Sequence, residues 1–235
     1  MNRELSAILF DLDGTLLPMD NDEFTQYYFK LLCRRFSEYD GRTMIDALWK
    51  GVKAMVLNDG AMTNEQRFWK VFSQIMGEQI CTRMEEFNDF YRTDFQKARA
   101  VVKPNDQARD LVAWARSMAD YVVLATNPVF PMCGVETRLS WIGLTASDFD
   151  IVTTYETFSY CKPNPAYYTD IARRLGVKPE KCLMIGNDVQ EDIMPAAQTG
   201  MTVFLLTDCL LSHDLPYDAY PFGNWSDCQR LWRSK

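Results

Sequence analysis

Two short acidic clusters carry the chemical interest of this chain. They are Asp11-Leu12-Asp13-Gly14-Thr15 and Gly186-Asn187-Asp188-Val189-Gln190-Glu191-Asp192. In the first, two carboxylates two residues apart reach a common site if the chain turns tightly, and Gly14 allows such a turn. A hard divalent cation such as Mg²⁺ takes oxygen ligands and keeps several waters, so one or two carboxylates suffice to hold it. Asp11 and Asp188 could form that pair. The second cluster also has a plainer reading as a helix start, because Glu191 and Asp192 precede a helical segment over 193–199 and acidic residues favour a helix N-terminus. Thr126 and Asn127 offer a hydroxyl and free backbone N–H groups suited to phosphate oxygens. Lys162 lies in Cys161-Lys162-Pro163-Asn164-Pro165, a loop stiffened by prolines. A lone lysine usually points into solvent; beside carboxylates and a phosphate it would supply the missing positive charge.

These residues need elements to bring them together. Ala7-Ile8-Leu9-Phe10 is a continuous apolar run, as expected for a strand buried on both faces of a parallel sheet. It ends at Asp11. Similar runs are Tyr121–Ala125, ending before Thr126, Cys182–Ile185, ending before the second cluster, and Thr202–Leu206. Asp150–Thr153 is a weaker one. Between them lie helical patterns. Ala108, Leu111, Val112, Ala115 and Met118 share a face, as do Tyr168, Ile171, Ala172 and Leu175. The latter helix opens at Asn164 with Pro165 in its first turn and closes at Gly176. Alternating strands and helices predict a parallel sheet covered on both sides, with ligands at the carboxyl ends of its strands.

The stretch from about 20 to 100 reads differently. Four apolar stripes recur at the 3.6-residue period: Phe24, Tyr28, Leu31 and Leu32; Ile45, Leu48, Trp49, Val52, Met55 and Val56; Phe68, Val71, Phe72, Ile75 and Met76; and Ile80, Met84, Phe87 and Tyr91. They predict a small helical bundle inserted after the first strand. The expected division is 1–18 with 101–235 for the sheet and 19–100 for the bundle. A short helix is expected near 225–232.

Composition narrows the partners. With 235 residues and a net charge of -7, the chain lacks the clustered basic charge that phosphate backbones require, so no nucleic-acid role is expected. Its apolar runs are too short for a membrane span. The 7 cysteines are dispersed, which fits reduced thiols in a cytoplasmic protein and gives no cysteine metal site.

Taken together and in order, DLDGT at 11–15, Thr126 in LATN, Lys162 in CKPNPAYY and GNDVQED at 186–192 resemble the haloacid dehalogenase-like superfamily of phosphatases and phosphotransferases. The resemblance covers nearly the whole chain, with the bundle matching that family's inserted helical cap of the C1 type. It implies a Rossmann-like, doubly wound α/β core. It also implies roles for the matched residues. Asp11 would be the nucleophile that becomes an aspartyl phosphate, and Asp13 the general acid and base, whose backbone carbonyl also contributes to the metal. Thr126, Asn127 and Lys162 would hold the phosphate. Asp11, Asp13 and Asp188 would bind Mg²⁺, with Asp192 orienting that ligand or a metal-bound water. This chain departs from the family's pattern at Asn187, which stands where an Asp often follows the Gly, so Asn187 competes with Asp188 for the metal-ligand position.

Asp13 sharpens the reaction. Relatives that cleave carbon–halogen bonds lack the second Asp and need no metal, so its presence favours phosphate chemistry. Phosphonate-cleaving relatives use a cap lysine, but Lys30, Lys50, Lys53, Lys70 and Lys97 show no matching context. The expected function is hydrolysis of a small phosphorylated metabolite. A sugar-phosphate mutase and a catalytically idle binding protein are the alternatives. Tyr27, Trp49 and Arg42 are candidates for substrate selection in the bundle, and His213, the only histidine, is expected in a surface loop outside the chemistry.

Overall fold

The structure is a computed structural model, and it describes residues 5–233. Six parallel strands form one sheet in the order β3-β2-β1-β4-β5-β6. They are β1 (Ala7–Phe10), β2 (Tyr121–Leu124), β3 (Ile151–Val152), β4 (Cys182–Gly186), β5 (Thr202–Leu206) and β6 (Phe222–Gly223). This is the doubly wound Rossmann order. Strand β1 lies in the middle, with Ala7 in register with both Tyr121 and Cys182. The chain first builds outward to β3, then returns to the other side of β1. That reversal opens a crevice at the carboxyl ends of β1 and β4, where ligands bind in such sheets.

The strands are apolar throughout because both faces are covered. Ala7, Leu9, Val123, Met184, Val203 and Leu205 face a core shared with α7 (Pro165–Leu175). Ile8, Phe10, Leu124, Ile185 and Phe204 face the opposite core, which includes residues of α5 (Ala108–Met118). The alternation follows from the two-residue repeat of a strand. Helix α7 begins as its sequence requires: Asn164 Oδ1 accepts the Ala166 N–H at 2.9 Å, Pro165 occupies the first turn, and Gly176 closes the helix at φ 68°.

Between β1 and α5 no strand joins the sheet among the described residues. Helices α1 (Asn21–Arg35), α2 (Gly41–Val56), α3 (Asn64–Met76) and α4 (Met84–Arg92) pack there around Phe24, Tyr28, Leu32, Met44, Phe72 and Phe87. The chain enters and leaves this insertion side by side. Met19 bridges to Val102, and the Lys103 N–H donates to the Pro18 carbonyl at 2.9 Å. The start of α3 is fastened to the sheet side, since the Asn64 and Glu65 N–H groups donate to the Phe158 and Tyr155 carbonyls, each at 2.8 Å. Those are free N–H groups of a helix start, satisfied here by neighbouring loops.

Three local expectations are corrected. The pattern from Ile80 to Tyr91 is not one helix. It is split into a 3₁₀ stretch at Glu78–Arg83 and α4, with further 3₁₀ turns at Asp94–Val101. In α2 the buried stripe is Met44, Ala47, Leu48, Gly51 and Met55 rather than the side centred on Trp49, which is 51 % exposed. Gly51 explains the rotation: its missing side chain lets the Phe68 ring close over the helix, and a Cβ there would overlap that ring. Finally, α6 (Met132–Trp141) was not expected at all. Its buried residues mix Val135, Leu139 and Trp141 with Gly134, Thr137 and Arg138, so its apolar face is interrupted by small and polar residues. The remaining short helices are α8 (Met194–Gln198) and the expected α9 (Trp225–Arg233).

Candidate active site

The tight loop after β1 places the first acidic pair. The Gly14 N–H donates to the Leu17 carbonyl at 2.8 Å and Gly14 takes φ 87°, so the chain doubles back at once. Only glycine fits here, because a Cβ on Gly14 would overlap the Asn187 amide. The Asp11 N–H still pairs with the sheet, donating to the Ile185 carbonyl at 3.0 Å. Asp11 therefore leaves the sheet beside the end of β4.

Lys162 is the organising cation. It is 1 % exposed and its Nζ lies 2.8 Å from Asp11 Oδ1 and 2.6 Å from Asp192 Oδ1. Burial works against its positive charge, yet Asp11 and Asp192 more than restore it and hold its pKa well above the ordinary lysine value. Burial likewise pushes the Asp192 carboxyl upward, against the opposing pull of Lys162. The second oxygen of Asp192 accepts the Asn187 and Asp188 N–H groups, each at 3.1 Å. Asp192 thus ties Lys162 to the backbone after β4. Gly186 makes room for it, since a Cβ at that position would overlap the Asp192 carboxylate.

Asn187 and Asp188 divide their tasks. Asn187 accepts the Thr15 hydroxyl at 2.9 Å and donates to the Cys209 carbonyl at 2.7 Å, which consumes its amide in joining three loops. Asp188 keeps a carboxylate in the crevice. Its Oδ1 accepts the Gln190 and Glu191 N–H groups, both at 2.8 Å, so the helix-start reading also holds, at Asp188 rather than at Glu191 or Asp192. Its Oδ2 lies 2.9 Å from His213 Nε2, and this contact raises the imidazole pKa. His213 is in a surface loop as expected, but its left-handed backbone, φ 52°, turns the ring onto Asp188.

Asp11, Asp13, Thr126, Asn127, Asp188 and Asp192 all line one cavity of about 110 Å³. Lys162 stands behind it through Asp11 and Asp192. Asn127 donates to Glu191 at 3.0 Å, and Glu191, largely buried, has its carboxyl pushed up to about 7 by that burial despite Lys162. Asp13 pairs with Arg138 of α6, whose side chain is fully buried. Burial raises the Asp13 carboxyl above its ordinary range while Arg138 pulls against it. Of the residues gathered here, Arg138 had no place in the sequence reading, Thr15 and Glu191 belonged to the two clusters without a role of their own, and His213 was expected outside the chemistry. Arg138 lies 125 positions from Asp13, and a lone arginine within a helix carries no sign of so distant a partner.

The donor set suits a hard cation. The cavity wall contains Asp, Asn, Glu and Thr oxygens and no cysteine or histidine among the described residues. Asp13 Oδ1 and Asn127 Oδ1 are buried acceptors without a hydrogen-bond partner. Among the described residues no group of three or more His, Cys, Asp or Glu side chains could hold a metal ion by itself. A hard cation that keeps its waters needs only one or two carboxylates.

Comparison with known proteins agrees with this architecture. A profile of the haloacid dehalogenase-like hydrolases matches residues 5–200. YhcW of Bacillus subtilis, whose name carries a provisional assignment as a phosphatase, is 26 % identical over 199 residues, covering 84 % of this chain and 81 % of that protein. Glyceraldehyde 3-phosphate phosphatase of Methanothermobacter thermautotrophicus is 40 % identical, but over only 58 residues, 25 % of this chain and 26 % of that protein. The bifunctional riboflavin kinase/FMN phosphatase of Arabidopsis thaliana is 24 % identical across 83 % of this chain, which spans 45 % of the plant protein. Among solved structures, a phosphatase from Thermococcus onnurineus superposes with a TM-score of 0.57 at 18 % identity, covering 97 % of each chain. A 2-haloacid dehalogenase from Pseudomonas syringae superposes with a TM-score of 0.62 at 16 % identity, covering 98 % of this chain and 100 % of the other. Phosphatase and dehalogenase share the fold, so the fold alone does not choose the reaction. With the profile spanning most of its length, the chain belongs to the haloacid dehalogenase-like hydrolases.

Proposed function

We propose that this hydrolase is a Mg²⁺-dependent phosphatase of a small phosphorylated metabolite, acting in the cytoplasm, with residues 19–100 as a cap over the site. The observation that carries the reading is the Asp11–Lys162–Asp192 chain of contacts beside a second carboxyl, Asp13, two residues from the nucleophile. Asp13 is what separates phosphate chemistry from carbon–halogen cleavage in this family. The cytoplasmic placement rests on the 7 cysteines being odd in number and dispersed along the sequence.

An Asp11 oxygen attacks phosphorus, and the bond from phosphorus to the substrate's bridging oxygen breaks. Asp13 gives that oxygen its proton, so the leaving group departs as a neutral alcohol and Asp11 carries the phosphoryl group. Burial of Asp13 favours the protonated acid, and its unpartnered Oδ1 is the atom free to hold the proton. Water then attacks phosphorus and gives a proton to Asp13. The Asp11–phosphorus bond breaks, inorganic phosphate leaves, and both carboxyls return to their starting state. Thr126 and the Asn127 backbone receive phosphoryl oxygens. Lys162 keeps Asp11 placed and offsets the negative charge that would otherwise repel a phosphate. Asp11, Asp188 and the Asp13 backbone carbonyl are the groups that would hold Mg²⁺, with Asp192 positioning the Asp188 loop. When bound, the cation neutralises charge on the phosphoryl oxygens.

The test is hydrolysis of an aryl phosphate. Activity is expected with Mg²⁺, lost with a chelator and restored by added Mg²⁺. Brief reaction and acid quench should show one phosphoryl group on the peptide containing Asp11 by mass spectrometry. Metal-independent turnover, or full activity in Asp11→Asn, overturns the proposal.

A further inference from the structure

The phosphate-sized cavity adjoins a larger one of about 320 Å³ beneath the cap. The two share Asp13, Asn21, Val129, Phe130 and Glu191 in their walls. Beyond this junction the wall is mainly aromatic and aliphatic, with Phe29, Leu48, Trp49, Val52, Phe68 and Trp69, and its polar residues, Thr25, Tyr28, Tyr91 and Tyr155, are uncharged hydroxyl carriers. Among the described residues no lysine, arginine or histidine lines it. Arg138 is the cation beside the junction; it lines neither cavity, its Nη1 is engaged by Asp13, and its buried Nη2 has no hydrogen-bond partner. Its guanidinium is fully buried, paired with Asp13 and stacked 4.2 Å over the Phe130 ring.

We infer that this cavity takes a planar, uncharged aromatic group of about two fused rings. Resting on the phosphatase reading above, that group is the alcohol part of the substrate, with its phosphate in the smaller cavity. Size sets the number of rings. A cavity of about 150 Å³ lined by Leu, Ile and Phe holds one benzene, and this one, at about 320 Å³, is roughly twice as large. Wall chemistry sets the polarity. Aromatic walls offer edge and face contacts to a flat ring. An anionic group would give up its water with no lysine, arginine or histidine in the wall to replace it, next to the Asp13 and Glu191 carboxyls. The same shortage of cations speaks against a sugar-phosphate mutase, whose second phosphate would have to occupy this space. Trp49 marks the mouth: it lines the cavity, is 51 % exposed and packs edge-on against Phe29 at 5.4 Å.

The experiment uses the intact protein with Mg²⁺. Calorimetry measures binding of 1-naphthol and of glycolate, which needs no hydrolysis. Steady-state kinetics compare 1-naphthyl phosphate, phenyl phosphate and 2-phosphoglycolate. Naphthol is expected to bind and glycolate not to. The naphthyl ester should exceed the phenyl ester in kcat/KM by about tenfold, and phosphoglycolate by about a hundredfold or more. Trp49→Ala, at a half-exposed position that should not endanger folding, should weaken naphthol binding several-fold. Val52→Lys brings a cation to the wall and should move the ester preference toward phosphoglycolate by about tenfold or more. A preference for phosphoglycolate in the unaltered protein, or naphthol binding indifferent to both substitutions, overturns the inference and leaves the phosphatase reading standing. Naphthol binding without hydrolysis of any ester supports the cavity assignment and overturns the phosphatase reading instead.

Discussion

At the ends of β1 and β4, side chains are held by directional contacts between loops far apart in sequence. Lys162 reaches Asp11 and Asp192, Thr15 reaches Asn187, and His213 reaches Asp188. Under the cap, across the shared wall of Asp13 and Glu191, the neighbours are rings. Phe36 stacks on Phe87 at 4.2 Å, and Trp69 meets Phe72 edge-on at 5.6 Å. The first region tolerates little displacement, because a charge moved from its partner in a buried setting loses most of its compensation. The second holds its shape by filled volume, and many side chains of similar size can fill it. The two regions meet at Asp13, which lines both cavities.

The sharpest division comes from Asp11, the proposed nucleophile. Asp11→Asn should lower kcat for every phosphate ester by on the order of 10⁴-fold, without changing which ester is preferred. Stopped-time product assays with two esters check it, and a changed preference would mean that the two regions are not separable. Lys162→Met comes next. It leaves the buried Asp11 and Asp192 carboxylates without their cation, a loss of about 3–5 kcal/mol for a broken buried pair. Urea unfolding measures this, and a change below about 1 kcal/mol would show that solvent or a bound ion already compensates these charges. In the cap, Phe72→Ala empties a fully buried ring position and should cost about 3 kcal/mol. Phe72 lies outside both cavities, so aryl phosphate turnover should change far less than in Lys162→Met; a comparable loss of rate would show the cap core to be coupled to the chemistry. The smallest effect is expected for Thr15→Val. It removes the hydroxyl bonded to Asn187 at 2.9 Å, worth about 1 kcal/mol, and thermal unfolding with and without Mg²⁺ would show whether the β1 and β4 loops rely on it.

Legibility followed the same division. Asp11, Asp13, Thr126, Asn127, Lys162, Asp188 and Asp192 were all named from short patterns, because each stands at a strand end or helix start that local sequence marks. The structure gathers them at one crevice. Arg138 escaped because a buried arginine is chosen by its partner, and that partner, Asp13, is far away in sequence; only the Phe130 ring is near it along the chain. His213 was placed in a loop without chemistry, and its approach to Asp188 depends on a backbone conformation that few non-glycine residues adopt. In the cap, periodicity located helices but misjudged their facing. Trp49 was read into a buried stripe and instead stands at the mouth of the cavity, while Tyr27 and Arg42, the other candidates for substrate selection, do not line it.

The sequence by itself determined the alternation of strands and helices, the strand-end placement of the acidic clusters and the presence of a helical insertion. These depend on spacing along the chain, and spacing is local. Tertiary structure alone decided which carboxylate stays open to the crevice, that Asn187 is spent on holding loops together, and that Arg138 stands behind Asp13. It also decided the size and wall of the cap cavity. Those are properties of the space between elements, set by crossing and packing rather than by any one segment. The amphipathic stripe that buries a helix is the same whether its neighbour closes the gap completely or leaves room for a ligand.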